Sequence, residues 1–396
     1  MKMNIYNNKD ECYGCGVCAL SCPVQCIKII NDDEGFAYPE IIQDLCNNCG
    51  ICKNSCIFQS DISTVKKTEY PLVYAAKIKD EIARMDSTSG GAFTAFSNWI
   101  LDNDGVVFGV KFCEDLTVIT TYAKTKDERN EFRGSKYMQS ELRDSFNETR
   151  NFLLSGKPVM FTGTPCQIVA LKTYLKNIDT TNLYLCDLIC MGTPSQLVFK
   201  GFINYLENKR KKKVIKYYCR YKGKGWKNHI EKQIYSDGSE DYESIDSQVF
   251  SVLFGKKVLL RPSCYNCKCK GIIRHSDITI ADFWGIEKSM PDFNDNNGIS
   301  LVLINSNKGQ MWFQKVNDTL ELRKSNTTDC LQPMLIKSST IPSNREQFWI
   351  DYKNSDFRYV AKKYGKPLLA SKYKAVIKKI LLKIGLFDFV KAILKK

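Results

Sequence analysis

Residues 11–26 read ECYGCGVCALSCPVQC, and residues 45–56 read LCNNCGICKNSC. Each run spaces its cysteines as C-x2-C-x2-C-x3-C: Cys12, Cys15, Cys18 and Cys22 in the first, Cys46, Cys49, Cys52 and Cys56 in the second. The spacing has a geometric reason. Three thiolates two residues apart wrap a tight loop around one face of an iron–sulfur cubane. The fourth sits a turn further on, at the start of a short helix, and points toward the other cubane. The expected ligand sets therefore cross over. Cys12, Cys15, Cys18 and Cys56 hold one 4Fe–4S cluster, and Cys46, Cys49, Cys52 and Cys22 hold the second.

This is the pattern of bacterial two-cluster ferredoxins, and it points to electron transfer. Zinc needs only four ligands and does not call for two such runs. Disulfides would imply export, and the opening MKMNIYNNKD is polar, without the apolar segment of a signal peptide. The expected compartment is a reducing cytoplasm, where thiols stay free for clusters. Ile57 follows Cys56 where a proline is usual, but that proline is no ligand. Cys26 reads as a packed spare thiol.

The chain has 396 residues, 43% of them hydrophobic and 26% charged, enough for two or three domains with a substantial core. Its net charge of +15 invites a nucleic-acid reading, which the distribution opposes. Residues 361–396 hold eleven lysines and one aspartate, leaving +5 for the rest. Lys209 to Lys213 and the lysines near Trp226 read as solvated loops, and no nucleic-acid motif accompanies them. No apolar run approaches the ~18 residues of a membrane span. In the tail, Tyr373, Val376, Ile377, Ile380, Leu381, Ile384 and Phe387 recur at three and four. Lys374, Lys378, Lys379 and Lys383 fall mostly elsewhere on the wheel, a basic amphipathic helix. Such a helix packs on its own domain, lies on the inner face of an anionic membrane, or binds a partner.

Between the cysteine runs, GFAYPEI reads as a short strand pair. Asp61 to Tyr70 is a polar linker ended by Pro71. Ser89 to Leu101 and Ser140 to Leu154 read as helices. VVFGVKF and TVITTYAK read as a hairpin. PVMFTG and LYLCDLIC are strands, each followed by a helix, which predicts a parallel α/β unit. VIKYYCRYKGKGW and EKQIYS follow as antiparallel strands, then SDITIADFWG and ISLVLINS. The expected architecture is an α+β ferredoxin-like module followed by an α/β domain with a mixed sheet.

Several motifs fall at strand ends, where ligands of α/β sheets sit. PVMFTGTPCQ places Gly163, Thr164 and Cys166 there. LYLCDLICMGTPS adds Cys190, RPSCYNCKC adds Cys264, Cys267 and Cys269, and SDITIADFWG ends with Asp282. Cys166, Cys190, Cys264 and Cys267 form a candidate third thiolate site, with Cys186 and Cys269 competing. Cys186 lies four residues before Cys190 on the expected strand, so both would point the same way. STSGGAFTAF puts Ser89, Gly90 and Gly91 ahead of a helix, a phosphate seat. RGSKYMQS adds Arg133, Ser135 and Lys136, a basic turn suited to a pyrophosphate or a flavin ring edge. The opposing reading of these loops is an N-capping serine and an ordinary turn. There is no GxGxxG, and only two histidines, His229 and His275, so a Rossmann dinucleotide fold, a Ser-His-Asp triad and HExxH zinc chemistry have no support.

Taken in order, STSGGAFTAF, RGSKYMQS, FTGTPCQ, CDLICMGTPS, CYNCKCK and SDITIADFWG resemble the beta subunit of coenzyme F420-reducing hydrogenases and its dehydrogenase relatives. The resemblance covers roughly residues 72–350, ahead of a tail over 360–396 and behind a two-cluster module over 1–62. It implies FAD and a third 4Fe–4S cluster, with Cys166, Cys190, Cys264 and Cys267 as ligands. It places the FAD against Ser89, Gly90 and Gly91, against Ser135, Lys136 and Tyr137, and against Thr162, Gly163 and Thr164, with Asp282 near the pocket. The implied function is an iron–sulfur flavoprotein oxidoreductase passing electrons between clusters and FAD, for two-electron chemistry on a small organic substrate. A step in polysaccharide biosynthesis is one setting. A donor ferredoxin or partner subunit is the implied redox partner, and nucleic acid is not. The rival readings are a non-catalytic electron-transfer adaptor and an iron–sulfur redox sensor. Met191 stands where the family often has histidine, and Cys269 where phenylalanine is common. Nothing identifies a deazaflavin site.

Overall fold

The computed structural model describes residues 4–59 and 71–366. The expected linker and the amphipathic stretch over 371–396 lie outside them. Among the described residues no helix is long and apolar enough to cross a membrane.

The two cysteine runs fold alike. Gly16 and Gly50 each take a left-handed φ, 73° and 74°, and each opens a four-residue helix, Val17–Leu20 and Ile51–Asn54. These turns bring the third cysteine of each run, Cys18 and Cys52, into the buried interior. Strands β1 (Ile27–Asn31) and β2 (Ala37–Ile41) pair antiparallel between the runs. GFAYPEI thus supplies one strand of the pair rather than both, because the turn comes earlier, at Asp32–Gly35, where Gly35 N–H donates to the Asp32 carbonyl.

The larger body holds β3 (Leu72–Ile78), β4 (Val106–Phe112), β5 (Val118–Ala123), β6 (Val159–Gly163), β7 (Leu183–Leu188), β8 (Val214–Tyr218), β9 (Lys232–Tyr235), β10 (Glu240–Asp241), β11 (Ile278–Asp282), β12 (Ser300–Ile304) and β13 (Leu320–Ser325). Eight form one mixed sheet in the order β13-β3-β12-β11-β7-β6-β4-β5. Its centre, β11-β7-β6-β4, is parallel, and the flanks are antiparallel. Alternation sends Met160 and Cys186 to one face and Val159, Phe161 and Leu185 to the other. Helices Ala92–Asp102 and Asn307–Val316 cover the first face, and Ser145–Leu154 and Pro165–Tyr174 cover the second. The helix expected from Ser140 begins only at Ser145, because Glu141 is tied to the edge strand β5, its N–H donating to the Val118 carbonyl.

A second layer carries the antiparallel sheet β10-β9-β8. It packs with helices Gln196–Arg210, Val249–Gly255, Arg345–Asn354 and Phe357–Tyr364 into a core that also takes Phe36 and Tyr38. Lys209, Arg210, Lys212 and Lys213 pair with Asp246, Asp241, Asp237 and Glu207. The stretch near Trp226 is solvated only in part: Lys224 and Lys227 are exposed. Trp226 is 1% exposed, and Arg220 and Lys222 are buried with it.

Candidate functional site

Two cavities open in the amino-terminal module. One is lined by Cys12, Cys15, Cys18 and Cys56 together with Tyr13, Val17 and Phe58. The other is lined by Cys22, Cys46, Cys49 and Cys52, with Cys26 beside them. Each run thus gives three thiols to one cavity and its last thiol to the other, the partition expected from the spacing. Among the described residues no three His, Cys, Asp or Glu side chains converge on a single-ion site. The thiols line cavities instead, where a cubane would take one thiolate per iron. Burial pushes the Cys15 thiol up to about 12. Thiolates in an apolar pocket are costly unless a cation such as iron binds them. Cys26 lies 3.5 Å from Cys22, sulfur to sulfur.

A third group of thiols gathers beyond the carboxyl ends of β6 and β7. Cys166 sits in the first turn of helix Pro165–Tyr174, whose Thr164 cap places a hydroxyl 3.2 Å from its sulfur. Cys190 follows β7. Cys264 lies in the 3-10 turn Pro262–Asn266, its sulfur accepting the Thr193 N–H at 3.3 Å. Cys267 N–H donates to Ser338 Oγ at 3.0 Å. The four are close enough to interact. Burial is the main force raising Cys166, and ionised Cys267, Cys190 and Cys264 add to it. Cys190, pushed up to about 12 by burial, feels Cys264 and Cys267 in the same way. Cys186 is elsewhere, fully buried in the sheet core with Met160 and Ile278. It does not point with Cys190, because β7 ends at Leu188 and the chain leaves the sheet. Cys269 is in the neighbourhood. Its hydrogen bond with Cys267 lowers the pKa of Cys267 and raises its own.

The first cavity and this third group share a wall. Tyr13, Phe58, Val169 and Cys269 form one apolar cluster, with Cys15 and Cys56 from one side and Cys166 and Cys267 from the other. Tyr13 and Phe58 stack at 3.9 Å between centroids. Lys268 N–H donates to Tyr13 Oη at 2.9 Å and Lys268 Nζ to the Phe58 carbonyl at 2.6 Å. Arg274 fixes the thiol loop from below. It pairs with buried Asp187 at 2.9 Å and donates to the carbonyls of Leu188 and Cys269.

Of the segments expected around a flavin, the Ser89 and Ser135 loops touch, and Tyr137 lies near Asp282. Ser135 N–H donates to Thr88 Oγ1 at 2.8 Å, which joins the two glycine-containing loops. Gly90 is committed to packing, since a Cβ there would stand 2.2 Å from the Ala76 carbonyl oxygen. Gly91, at φ +85°, opens helix Ala92–Asp102 directly above Ile78. Lys136 donates to the carbonyls of Glu131 and Arg133, and desolvation lowers it to about 7. Tyr137 is raised, chiefly by burial, and feels the charges of Arg220 and Asp282. Thr162 Oγ1 is buried without a hydrogen-bond partner among the described residues, and Gly163 and Thr164 continue into the Cys166 helix. Asp282 accepts from Trp226 Nε1 at 2.7 Å and pairs with Arg220 at 3.2 Å. The orphaned Thr162 hydroxyl would find a partner in a bound, hydrogen-bonding ring system.

Sequence reasoning passed over Arg220, Trp226, Trp284, Lys222, Arg261 and Tyr13. Trp226 stacks on Trp284 at 4.9 Å, and Lys222 Nζ holds the carbonyls of Arg84, Ser89 and Asn297. No local pattern marks Arg261, whose partner Cys12 lies 249 residues away.

Residues 156–329 match a family model for the carboxy-terminal region of the coenzyme F420 hydrogenase/dehydrogenase beta subunit, which bears out the resemblance over that segment. No curated protein matches the chain. Among solved structures, a chain of the F420-reducing NiFe hydrogenase complex from Methanosarcina barkeri aligns with a TM-score of 0.45 at 18% identity, over 75% of this chain and 93% of that one.

Proposed function

We propose, from the match of residues 156–329 to the coenzyme F420 hydrogenase/dehydrogenase beta-subunit family model, that the chain is an iron–sulfur flavoprotein oxidoreductase. Cys12, Cys15, Cys18 and Cys56 hold an inner 4Fe–4S cluster. Cys22, Cys46, Cys49 and Cys52 hold an outer one. Cys166, Cys190, Cys264 and Cys267 hold a third. FAD lies against Ser89 to Gly91, Ser135 to Tyr137, Thr162 to Thr164 and Asp282. When bound, the clusters supply one-electron steps and the flavin converts them into two-electron chemistry on an organic substrate.

The observation that carries this reading is the shared wall at Tyr13 and Phe58. There the thiols of the inner cavity and of the third group pack into one apolar cluster. A dry, close-packed wall keeps two redox groups near each other and keeps water from the path. Cys49 is exposed, so the outer cavity is the side from which a partner protein reaches the chain. Asp282, held by Trp226 and Arg220, fixes the rim of the flavin cleft.

The test is anaerobic isolation with iron and flavin counted per chain. The expected result is about twelve irons and one flavin. Iron near eight without flavin would replace this reading by a non-catalytic adaptor.

A further inference from the structure

Arg261 bridges the amino-terminal module and the larger body. Its Nε donates to the Cys12 carbonyl at 2.8 Å, and its Nη2 donates to the Ala37 carbonyl at 2.9 Å and toward Cys12 Sγ at 3.6 Å. Nη1 donates to Gln139 Oε1 at 3.1 Å. The guanidinium lies over the Tyr38 ring at 4.3 Å, and the residue is 1% exposed. Gly14 makes room for it, since a Cβ there would stand 2.7 Å from Nη1.

Every hydrogen-bond partner of this cation is neutral or a thiol. Among the described residues no carboxylate pairs with it. The acids of the adjacent hairpin are engaged elsewhere: Asp32 with Lys9, Asp33 with Lys353, Glu34 with Arg345. A buried, unpaired cation is expensive, so a counter-charge is expected at its side. A cluster ligated by four thiolates is anionic and would provide it. The outer cavity has no such cation among the described residues. No lysine or arginine stands among the residues that line it.

We propose that Arg261 is a positioning residue that sets the order of electron transfer: its buried guanidinium is the counter-charge of the cluster held by Cys12, Cys15, Cys18 and Cys56, and it holds that cluster at a higher reduction potential than the outer one. This rests on the cluster assignment above. Reduction adds one negative charge, and a fixed cation with an N–H aimed at a ligand sulfur stabilises the reduced form more than the oxidised form. In the step itself one electron leaves the outer cluster, which is oxidised by one, and reaches the inner cluster, which is reduced by one. No bond forms or breaks, and no proton is needed. Electrons are thereby drawn inward, to the wall shared with the third group.

The test is an anaerobic redox titration of the full, iron-loaded chain followed by electron paramagnetic resonance. The signal lost in Cys46→Ala identifies the outer cluster. Arg261→Gln is expected to move the inner cluster to a more negative midpoint and leave the outer one in place. Arg261→Lys should move it less. Midpoints that stay put, or that shift alike at both clusters, overturn the proposal. A wild-type chain that holds fewer than about eight irons sinks the cluster assignment instead. If the Gln variant does not fold, wild-type protein grown on 15N-guanidinium arginine decides the matter. Its reduced inner cluster must show a nitrogen hyperfine coupling, and absence of that coupling overturns the proposal.

Discussion

At the residue scale, the cysteines differ in how far their neighbours lie along the chain. Cys12, Cys15 and Cys18 find one another within a single loop, so spacing alone reveals them. Cys190 must meet Cys264 across a body of intervening structure, and spacing cannot tell it from Cys186. The fold separates the two, placing Cys186 in the sheet core and Cys190 beyond the strand end among other thiols. Cys190→Ala is therefore expected to lose about four of about twelve irons and leave the amino-terminal clusters intact. Cys186→Ala should keep all its iron and cost about 1 kcal/mol of stability, the ordinary toll of a small core truncation. Iron analysis beside thermal unfolding reads both, and iron lost from Cys186→Ala would reverse the assignment. Arg261 was illegible for the same reason. Its contact with Cys12 spans 249 residues, and nothing local to RPSCYNC announces it.

At the element scale, the strands were legible and the segment between two of them was not. VIKYY and KQIY read as antiparallel strands, and β8 and β9 pair so. The lysines of KGKGW suggest solvent, yet Lys222 is spent on three carbonyls and Trp226 on Asp282. A charged residue is exposed only if nothing folds over it, and here β8 and β9 rise on either side. Glu231, just before β9, is buried with them. Its carboxylate accepts the Ser251 N–H at 3.0 Å, and among the described residues no cation pairs with it. Desolvation raises it to about 8. The folded state therefore holds a proton that the unfolded chain releases at about pH 4.3. That contribution to stability is complete below the unfolded value and is lost as pH rises toward 8. Stability of wild type against chemical denaturation should fall from pH 5 to pH 8. Glu231→Gln, which cannot ionise, should show a flatter profile and a gain over wild type at pH 8.5. Parallel profiles for the two proteins would mean that Glu231 titrates normally.

At the scale of the whole molecule, the amino-terminal module behaves as part of the larger body rather than as a bead on a string. Composition suggested a polar linker after it, and a linker suggests independence. The contacts say otherwise. Phe36 and Tyr38 are buried in the same core as Phe199, Phe250 and Phe348. Gly35 sits so close to the start of helix Gln196–Arg210 that a Cβ would stand 2.5 Å from Leu197 Cβ, and Ser195 Oγ donates to the Glu34 carbonyl at 2.6 Å. Arg345 forks onto Glu34, and Arg261 joins Cys12 to Gln139. Most of this seam is apolar or buried, so salt has little to screen. A protease site engineered between residues 60 and 70 and then cut is therefore expected to leave the two pieces co-eluting in gel filtration, at low salt and at about 1 M, where exposed ion pairs are screened out. Release of the small piece at either salt would show that the seam does not hold without the covalent link, and would remove the basis for electron flow across the Tyr13–Phe58 wall. Retention at both would mean that the clusters keep their spacing through packing alone, which is what a fixed transfer path through the molecule requires.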